Sequence, residues 1–442
     1  PAPRAPAPVA GSQPARSPAA NVAVPSARTG GNPAPTHTWS VRVLGVSGLY
    51  HDAAAALVED GRLVAAAQEE RFTRVRHDAS LPRAAMGWCL EQGEVDAGGL
   101  DAVVYYEKPL LTFLRLLRTR FQVAPRGFAT FRRAMQEWTR TKLWVGYALE
   151  GILTDLGQPR STKVWYGEHH LSHAASAFFP SPFDAAAILT FDGVGEFATT
   201  SIGLGAGNRV QLLEEIDFPD SIGLLYSTFT VHCGFRANSG EYKLMGLAPF
   251  GEPRFAEEIL RDVVTIHPDG SFHLDQRWFD YRAGGQMASD RFRRRFGPAR
   301  RPEDPLTQHQ ADLARSVQHV TEELVLAVAR RAAERTGQRR AVLAGGVALN
   351  CVSNARLLAD GPFDEIWIQP AAGDAGGALE VNLVQEPDNS LRFAIASNAA
   401  GETQATSTGA RLIEAFARQL GAQVGRRDQP FLLWAAIPPP PD

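Results

Sequence analysis

Two stretches of this chain follow one plan, and that repetition limits the folds open to it. VRVLGVSG (41–48) reads as a buried strand ending in a glycine turn at Gly48. DAAAALVED and RLVAAAQEER follow as second and third strands, joined at Asp60-Gly61, a two-residue hairpin signal. Further on, KVWYG (163–167) leads to a histidine-rich run, and AAAILTFDG (185–193) is a second buried strand. ATTSIGLGAG and RVQLLEEIDF then follow as strands around a Gly205–Gly207 turn. The pattern of strand, glycine turn, strand, strand thus occurs twice in 442 residues, a length that suits two or three packed units. Such a duplication favours two similar α/β halves with a crevice between them.

Each half opens like a ribonuclease-H-like unit. The expected fold class is therefore α/β, a duplicated ribonuclease-H-like (actin/hexokinase-like) fold with a nucleotide cleft between halves at about 41–160 and 161–379. DAVVYYE (101–107) is a further strand candidate of the first half. Residues 108–157 carry Phe113, Leu116, Leu117 and Phe121 at helical spacing and read as amphipathic helices with solvated arginines. A lid that lends an arginine to a phosphate is the sharper alternative for that segment. TQHQADLARSVQHVTEELVLAVARRAAERTG (307–337) is the clearest helix. Thr307 and Gln310 suit a capping box, Leu313, Val317, Val320, Leu324 and Val328 form a stripe, and Gly337 ends it. AVLAGGVALN then runs a strand into Gly345-Gly346 and a helix, DEIWIQP is the next strand, and Asp374 is expected to start another helix.

The net charge of −3 gives no electrostatic reason to expect nucleic-acid or membrane partners. Cys89, Cys233 and Cys351 lie far apart with no CxxC pair, against a cysteine zinc site or a disulfide framework. That usage suits a reducing compartment, and the cytoplasm is the expected setting. Residues 1–40 are rich in Pro, Ala, Ser and Gly and read as a disordered leader. The chain opens on Pro1 rather than Met, as a fragment of a longer polypeptide would.

The chemistry concentrates between His169 and Thr200. His169 and His173 stand one helical turn apart, so both rings can reach one metal ion, with His170 beside them. Asp192 ends a buried strand and Asp374 is a second candidate oxygen ligand; a His/Asp set without sulfur suits iron, manganese or zinc. Gly193 and Gly195 of DGVGE offer bare backbone beside Asp192, although Asp-Gly is also an ordinary turn. Gly345 and Gly346 let a nucleotide lie close to the chain. His51-Asp52 after Gly48 is either a polar turn or a base facing the cleft, since histidine ionises near neutral pH. SGEYKLMGLAPFG (239–251) reads as a glycine-bounded loop whose one cation, Lys243, faces solvent or a phosphate or carbamate group.

GVSGLYHDAAAALVEDG, EERFTRVRHD, HHLSHAASAF, TFDGVGEFATT, GEYKLMGLAPFG, LAGGVALNCVSN and AAGDAGGAL occur in the order seen in the nodulation-type O-carbamoyltransferases. The resemblance covers about residues 41 to 379. It implies a Kae1-like domain that binds a metal, usually iron, through His169, His173, Asp192 and Asp374. It further implies that Gly345, Gly346 and Asn350 line an adenylate and that His51 activates an acceptor hydroxyl. The implied reaction moves a carbamoyl group from carbamoyl adenylate, made with ATP, to a small-molecule hydroxyl. Arg76 stands before His77-Asp78 where the family usually has lysine, which alters that catalytic contact.

The resemblance stops near Leu379, before the YrdC-like domain that makes the donor. Residues 380–442 are expected to be an unrelated tail of strands, a loop, a helix and a proline-rich end, as a frameshift, fusion or assembly join would leave. Around Ser407-Thr408-Gly409 the tail loosely resembles the end of a histidine-kinase-like ATPase domain. Two alternatives accompany the transferase reading: an inactive nucleotide- and metal-binding remnant, and a threonylcarbamoyl-type tRNA modifier, against which the lack of basic bias counts.

Overall fold

The computed structural model describes residues 40–283, 285–369, 371–372, 378–385, 391–397, 423–428 and 431–437, with side chains described through residue 369. The expected leader, Asp374, the Ser407–Gly409 segment and the tail helix lie outside the described residues.

Strands β1 (Arg42–Ser47), β2 (Ala54–Glu59) and β3 (Arg62–Gln68) form an antiparallel meander. Asp60 and Gly61, both left-handed at φ 49° and 80°, close the hairpin that the Asp-Gly pair signals. Strand β4 (Ala102–Tyr105) joins β1 in parallel, and β5 (Lys163–Tyr166) joins β4 in parallel, giving the order β3-β2-β1-β4-β5. Alternate residues Leu44, Val46, Leu57, Val103 and Tyr105 are buried with Met86 and Cys89 of helix Arg83–Gln92 and Leu149 and Leu153 of helix Val145–Asp155.

The second sheet repeats this order. Strands β6 (Ala185–Phe191), β7 (Ala198–Ala206) and β8 (Arg209–Asp217) make the meander, and β9 (Val264–Ile266) and β10 (Phe272–Leu274) form a separate ribbon. Strand β11 (Arg340–Ala344) pairs in parallel with β6, and β12 (Glu365–Ile368) with β11, so the path runs β8-β7-β6-β11-β12. Helix Gln308–Thr336 supplies Leu313, Val317, Val320, Leu324 and Val328 to the larger core, where Phe229, Phe292 and Phe296 meet edge to face or tilted. Gln310 Oε1 accepts the Thr307 N–H at 3.1 Å, and left-handed Gly337 ends the helix, as the sequence leads one to expect. Two sheets of one order in one chain define the duplicated ribonuclease-H-like α/β fold.

Three sequence readings change. Lys163–Tyr166, expected to open the second half, is the edge strand of the first sheet, so the halves divide after it rather than near residue 160. It reaches that edge because helices Pro109–Val123, Phe128–Arg140 and Val145–Asp155 form the long crossover that a parallel β4–β5 pair needs. Residues 239–251, expected as a loop, contain helix Glu241–Leu247 and a 3₁₀ turn at Ala248–Phe250; buried Leu244 anchors the helix between the flanking glycines. The helix expected from Asp374 does not run through Ala378–Gln385. That segment is strand β14, antiparallel to β12, after the short β13 (Ala371–Ala372). Strands β15 (Leu391–Ser397), β16 (Gln423–Asp428) and β17 (Phe431–Ile437) extend the same sheet in the order β14-β15-β17-β16.

Candidate functional site

The functional groups follow the carboxyl ends of an edge strand in the first sheet and a central strand in the second. Helix His169–Phe178 starts where β5 ends, and Asp192 directly follows β6. His169 Nε2 lies 2.9 Å and His173 Nε2 3.8 Å from the same oxygen, Asp192 Oδ2. The two rings meet edge to face, with centroids 4.6 Å apart, as i and i+4 side chains of one helix can. All three donor atoms lie within 4.8 Å of one another. His169 Nδ1 is buried without a hydrogen-bond partner among the described residues, so the ring's polar contact is made at Nε2. Two imidazoles and a carboxylate converging in this way fit a divalent transition metal. His170 does not belong to the set. Its ring is buried, with Nδ1 at 2.6 Å from Thr190 Oγ1 and 3.2 Å from Ser201 Oγ, and burial pushes it down to about 3.

Electrostatics couple the remaining three. Burial opposes the charge on Asp192, but the hydrogen bonds and charges of His169 and His173 hold its carboxyl well below the usual range. Burial likewise opposes a charged His169; the bond to Asp192, with the charges of Asp192, Glu196 and Glu107, outweighs it and raises the imidazole.

Glu196, the last residue of DGVGE, has a part that the motif alone does not disclose. Its carboxylate accepts the His169 N–H at 3.0 Å with both oxygens and the Lys108 N–H at 2.9 Å. A buried carboxylate thus closes the N-terminus of the histidine helix, where anions are favoured. Gly195 is the close approach in that turn, since a Cβ there would stand 3.0 Å from the rings of His169 and His170, whereas a Cβ on Gly193 would meet none of the described residues within 4 Å.

The glycine pair reaches the same place. Gly345, at φ 92° and ψ 171°, brings β11 against β6, and a Cβ would lie 2.3 Å from the Phe191 carbonyl oxygen. A Cβ on Gly346 would stand 3.6 Å from Asp192 Oδ1. Asn350 turns away instead: it is buried, accepts the Ser353 N–H at 3.0 Å as a helix cap, and exchanges hydrogen bonds with Gln318.

The base candidate lies on the turn between β1 and β2. His51 Nδ1 is 2.7 Å from Asp52 Oδ2, and its ring is tilted at 43° against that of Tyr50 with centroids 4.4 Å apart. The hydrogen bond from His51, aided by one from His77, holds the Asp52 carboxyl down at about 2 against partial burial. A carboxyl carbon titration is expected to put the Asp52 midpoint near 2. Its bonds then add stability above the ordinary carboxylate range and lose it as pH falls from about 4 through that midpoint. A midpoint at about 4 would mean that the His51 contact is absent.

One strand joins the two sides. The Tyr105 hydroxyl donates to the Gly48 carbonyl at 2.8 Å, while the adjacent Tyr106 ring meets that of His169 edge to face at 5.5 Å. Glu107, Tyr106 and Tyr50 belong to this wall although the sequence reading assigned them no role; a VYYE strand end carries no spacing signal. The Lys142 ammonium, from the helical crossover, lies 5.7 Å from the Tyr50 ring centroid. Lys243 is exposed on its helix, 5.9 Å over the Tyr242 ring, and Asn238 on the same segment reaches the Tyr50 hydroxyl at 3.5 Å. Arg76 is exposed in the loop before His77. None of the described helices is long and apolar enough to cross a membrane.

The fold and this site define a two-sheet α/β protein in which a His/His/carboxylate cradle and a histidine–carboxylate pair are both tied to the end of strand β4. The chain belongs to the carbamoyltransferase N-terminus family, which matches residues 42–382. It is 52% identical over 345 residues to an uncharacterized protein of Synechocystis, covering 77% of this chain and 56% of that one. It is 36% identical over 336 residues to the nodulation protein NolNO of Sinorhizobium fredii, covering 76% and 46%. The chain therefore spans about half the length of the curated relatives it matches. Among solved structures, HypF of T. kodakarensis aligns over 76% of this chain and 46% of its own, at 12% identity and a TM-score of 0.36.

Proposed function

We propose that this chain carries the acceptor-side site of an O-carbamoyltransferase, which moves a carbamoyl group from carbamoyl adenylate to a hydroxyl of a small molecule. The observation that carries this reading is the Tyr105-Tyr106 pair, which ties the His51 loop and the His169 helix to consecutive residues of one strand end. A base and a metal cradle held on one rigid element suit a reaction in which a proton leaves the nucleophile while charge grows on a phosphate.

In the step we infer, the acceptor oxygen bonds to the carbamoyl carbon and the bond from that carbon to the adenylate phosphate oxygen breaks, releasing AMP. His51 Nε2 takes the hydroxyl proton. Asp52, hydrogen-bonded at His51 Nδ1, keeps the ring oriented. His169, His173 and Asp192, with Asp374 as a fourth ligand, would hold the metal, with iron favoured by the family resemblance. A metal bound there supplies Lewis-acid stabilisation of phosphate charge. Gly193, Gly195, Gly345 and Gly346 would let the nucleotide approach the backbone. Lys243 and Arg76 are proposed as cations at the rim of the same cleft.

The test supplies preformed carbamoyl adenylate, metal and a panel of hydroxyl acceptors to the chain and follows carbamoylated product by mass spectrometry. His51→Asn is expected to lower turnover about 10²–10⁴-fold, the usual contribution of a general base, with metal content unchanged. Undiminished transfer by His51→Asn would remove the base assignment. Metal and nucleotide binding without any product would reject the transferase reading for this chain.

A further inference from the structure

The proposed reaction gives no task to the second His-Asp pair, His77-Asp78. Its loop nevertheless lies directly on the base loop. The Leu49 N–H donates to the Ala79 carbonyl and the Ala53 N–H to the Asp78 carbonyl, both at 2.9 Å. Asp78 is buried and accepts from Thr73 Oγ1 at 2.7 Å and from the Ser80 N–H at 2.9 Å, which fixes the loop to the chain on both sides. The His77 N–H donates to Glu70 Oε2 at 2.9 Å.

At the tip of this loop, His77 Nδ1 lies 2.9 Å from Asp52 Oδ1, while His51 Nδ1 lies 2.7 Å from Asp52 Oδ2. Each carboxylate oxygen serves one ring. An ionised carboxylate only accepts, so both Nδ1 atoms carry hydrogen and the free lone pair of a neutral His51 is on Nε2. Leu49, Asp52 and His77 all have left-handed backbones, at φ 65°, 52° and 55°. Three non-glycine residues in that region are costly, and they persist here because the two loops brace each other. Asp52, Glu70 and His77 also place donor atoms within 4.8 Å of one another, as ligands of an ion would. Hydrogen bonds hold that cluster together through the His77 ring Nδ1 on Asp52 and its backbone N–H on Glu70, while His77 Nε2 is buried with no partner among the described residues.

We propose that His77 is a positioning residue: it pins one oxygen of Asp52 so that the other holds His51 in the Nδ1–H tautomer, with Nε2 free for the acceptor hydroxyl. The inference rests on the reading of His51 as base. A carboxylate held by one ring can swing about its side-chain torsions; one held between two rings on braced loops cannot. Small errors in placing a reacting group are expensive in rate, so loss of the pin acts on turnover rather than on acceptor affinity.

The test uses the whole chain labelled with ¹⁵N-histidine, with two-bond nitrogen–proton spectra at pH 8 reporting the His51 tautomer. His77→Gly removes the ring while tolerating the left-handed backbone, and His77→Asn restores a donor near Nδ1 with a residue that also accepts that conformation. The parent is expected to show the Nδ1–H tautomer alone, His77→Gly a mixture, and His77→Asn the parent form. Turnover is expected to fall about 10–100-fold in His77→Gly at unchanged acceptor KM, and to recover in His77→Asn. An unchanged His51 tautomer in folded His77→Gly protein overturns the inference whatever the transfer rate. Mixed tautomers combined with undiminished transfer by His51→Asn would instead remove the base reading and leave the His77 contact standing.

Discussion

Replacing Asp192 by Asn is expected to lower metal affinity at least about 100-fold while leaving the fold intact. Asp192 is the shared point of the cradle, since both histidine Nε2 atoms face its Oδ2. An amide there keeps the shape and loses the charge that draws a cation and two imidazoles together. Calorimetric titration with ferrous, manganous and zinc ions, beside metal analysis of the purified protein, measures the effect. Wild-type affinity in the variant would move the metal site elsewhere.

The protons give a second readout on the metal-free chain. Asp192 has a depressed carboxyl, so its pairing adds stability above the ordinary carboxylate range and loses it as pH falls. His169 is raised, so its part is fully present below the ordinary imidazole pKa and is lost as pH rises through the folded value. The pair therefore stabilises the metal-free cleft most between about pH 4 and 6.5. In Asp192→Asn the His169 midpoint is expected to drop, because burial, which disfavours the charged ring, then acts without its counterweight.

Gly345→Ala is expected to cost about 2–6 kcal/mol, the sum of backbone strain and overpacking. At φ 92° and ψ 171° the backbone occupies a region essentially closed to other residues, and the new methyl would meet the Phe191 carbonyl at 2.3 Å. The strand ends must then separate, carrying Asp192 away from the histidines. Gly346→Ala is the control: its methyl would sit at an ordinary 3.6 Å from Asp192 Oδ1 and should leave stability nearly unchanged. Thermal unfolding of both variants decides the matter. Equal melting temperatures would mean that the tight approach at Gly345 relaxes without cost.

The parts of this architecture legible in the sequence are those set by neighbours along the chain. The Asp60-Gly61 hairpin, the one-turn spacing of His169 and His173, and the long capped helix all follow from local rules. The family itself was legible, because seven separate motifs retain their order. What escaped depends on distant pairing or on direction. Lys163–Tyr166 is four residues long and shows no period of its own; its place was decided by a crossover of three helices. His170 stands beside the histidine pair in sequence, yet a helix turns about 100° per residue, which sends its ring into the core beside Thr190. Asn350 was a nucleotide contact only by family resemblance; its side chain caps a helix N-terminus and bonds the buried amide of Gln318. His77 and Glu196 lie in motifs whose spacing gives them no part, since what they touch is invisible until separate loops come together.

The pairing of β11 with β6 also has a meaning for how the molecule comes to exist. Ala187 and Ala341 are register partners roughly 150 residues apart in sequence, joined in parallel. Closing so long a loop costs entropy before any contact repays it, and parallel pairings of this kind form slowly. The hairpins and helices can assemble from local contacts, but the glycine pair meets Asp192 only once this closure is made. The approach of the glycine pair to Asp192 thus depends on the strand pairing of longest sequence separation among the described residues, and topology predicts that it forms after the local hairpins and helices.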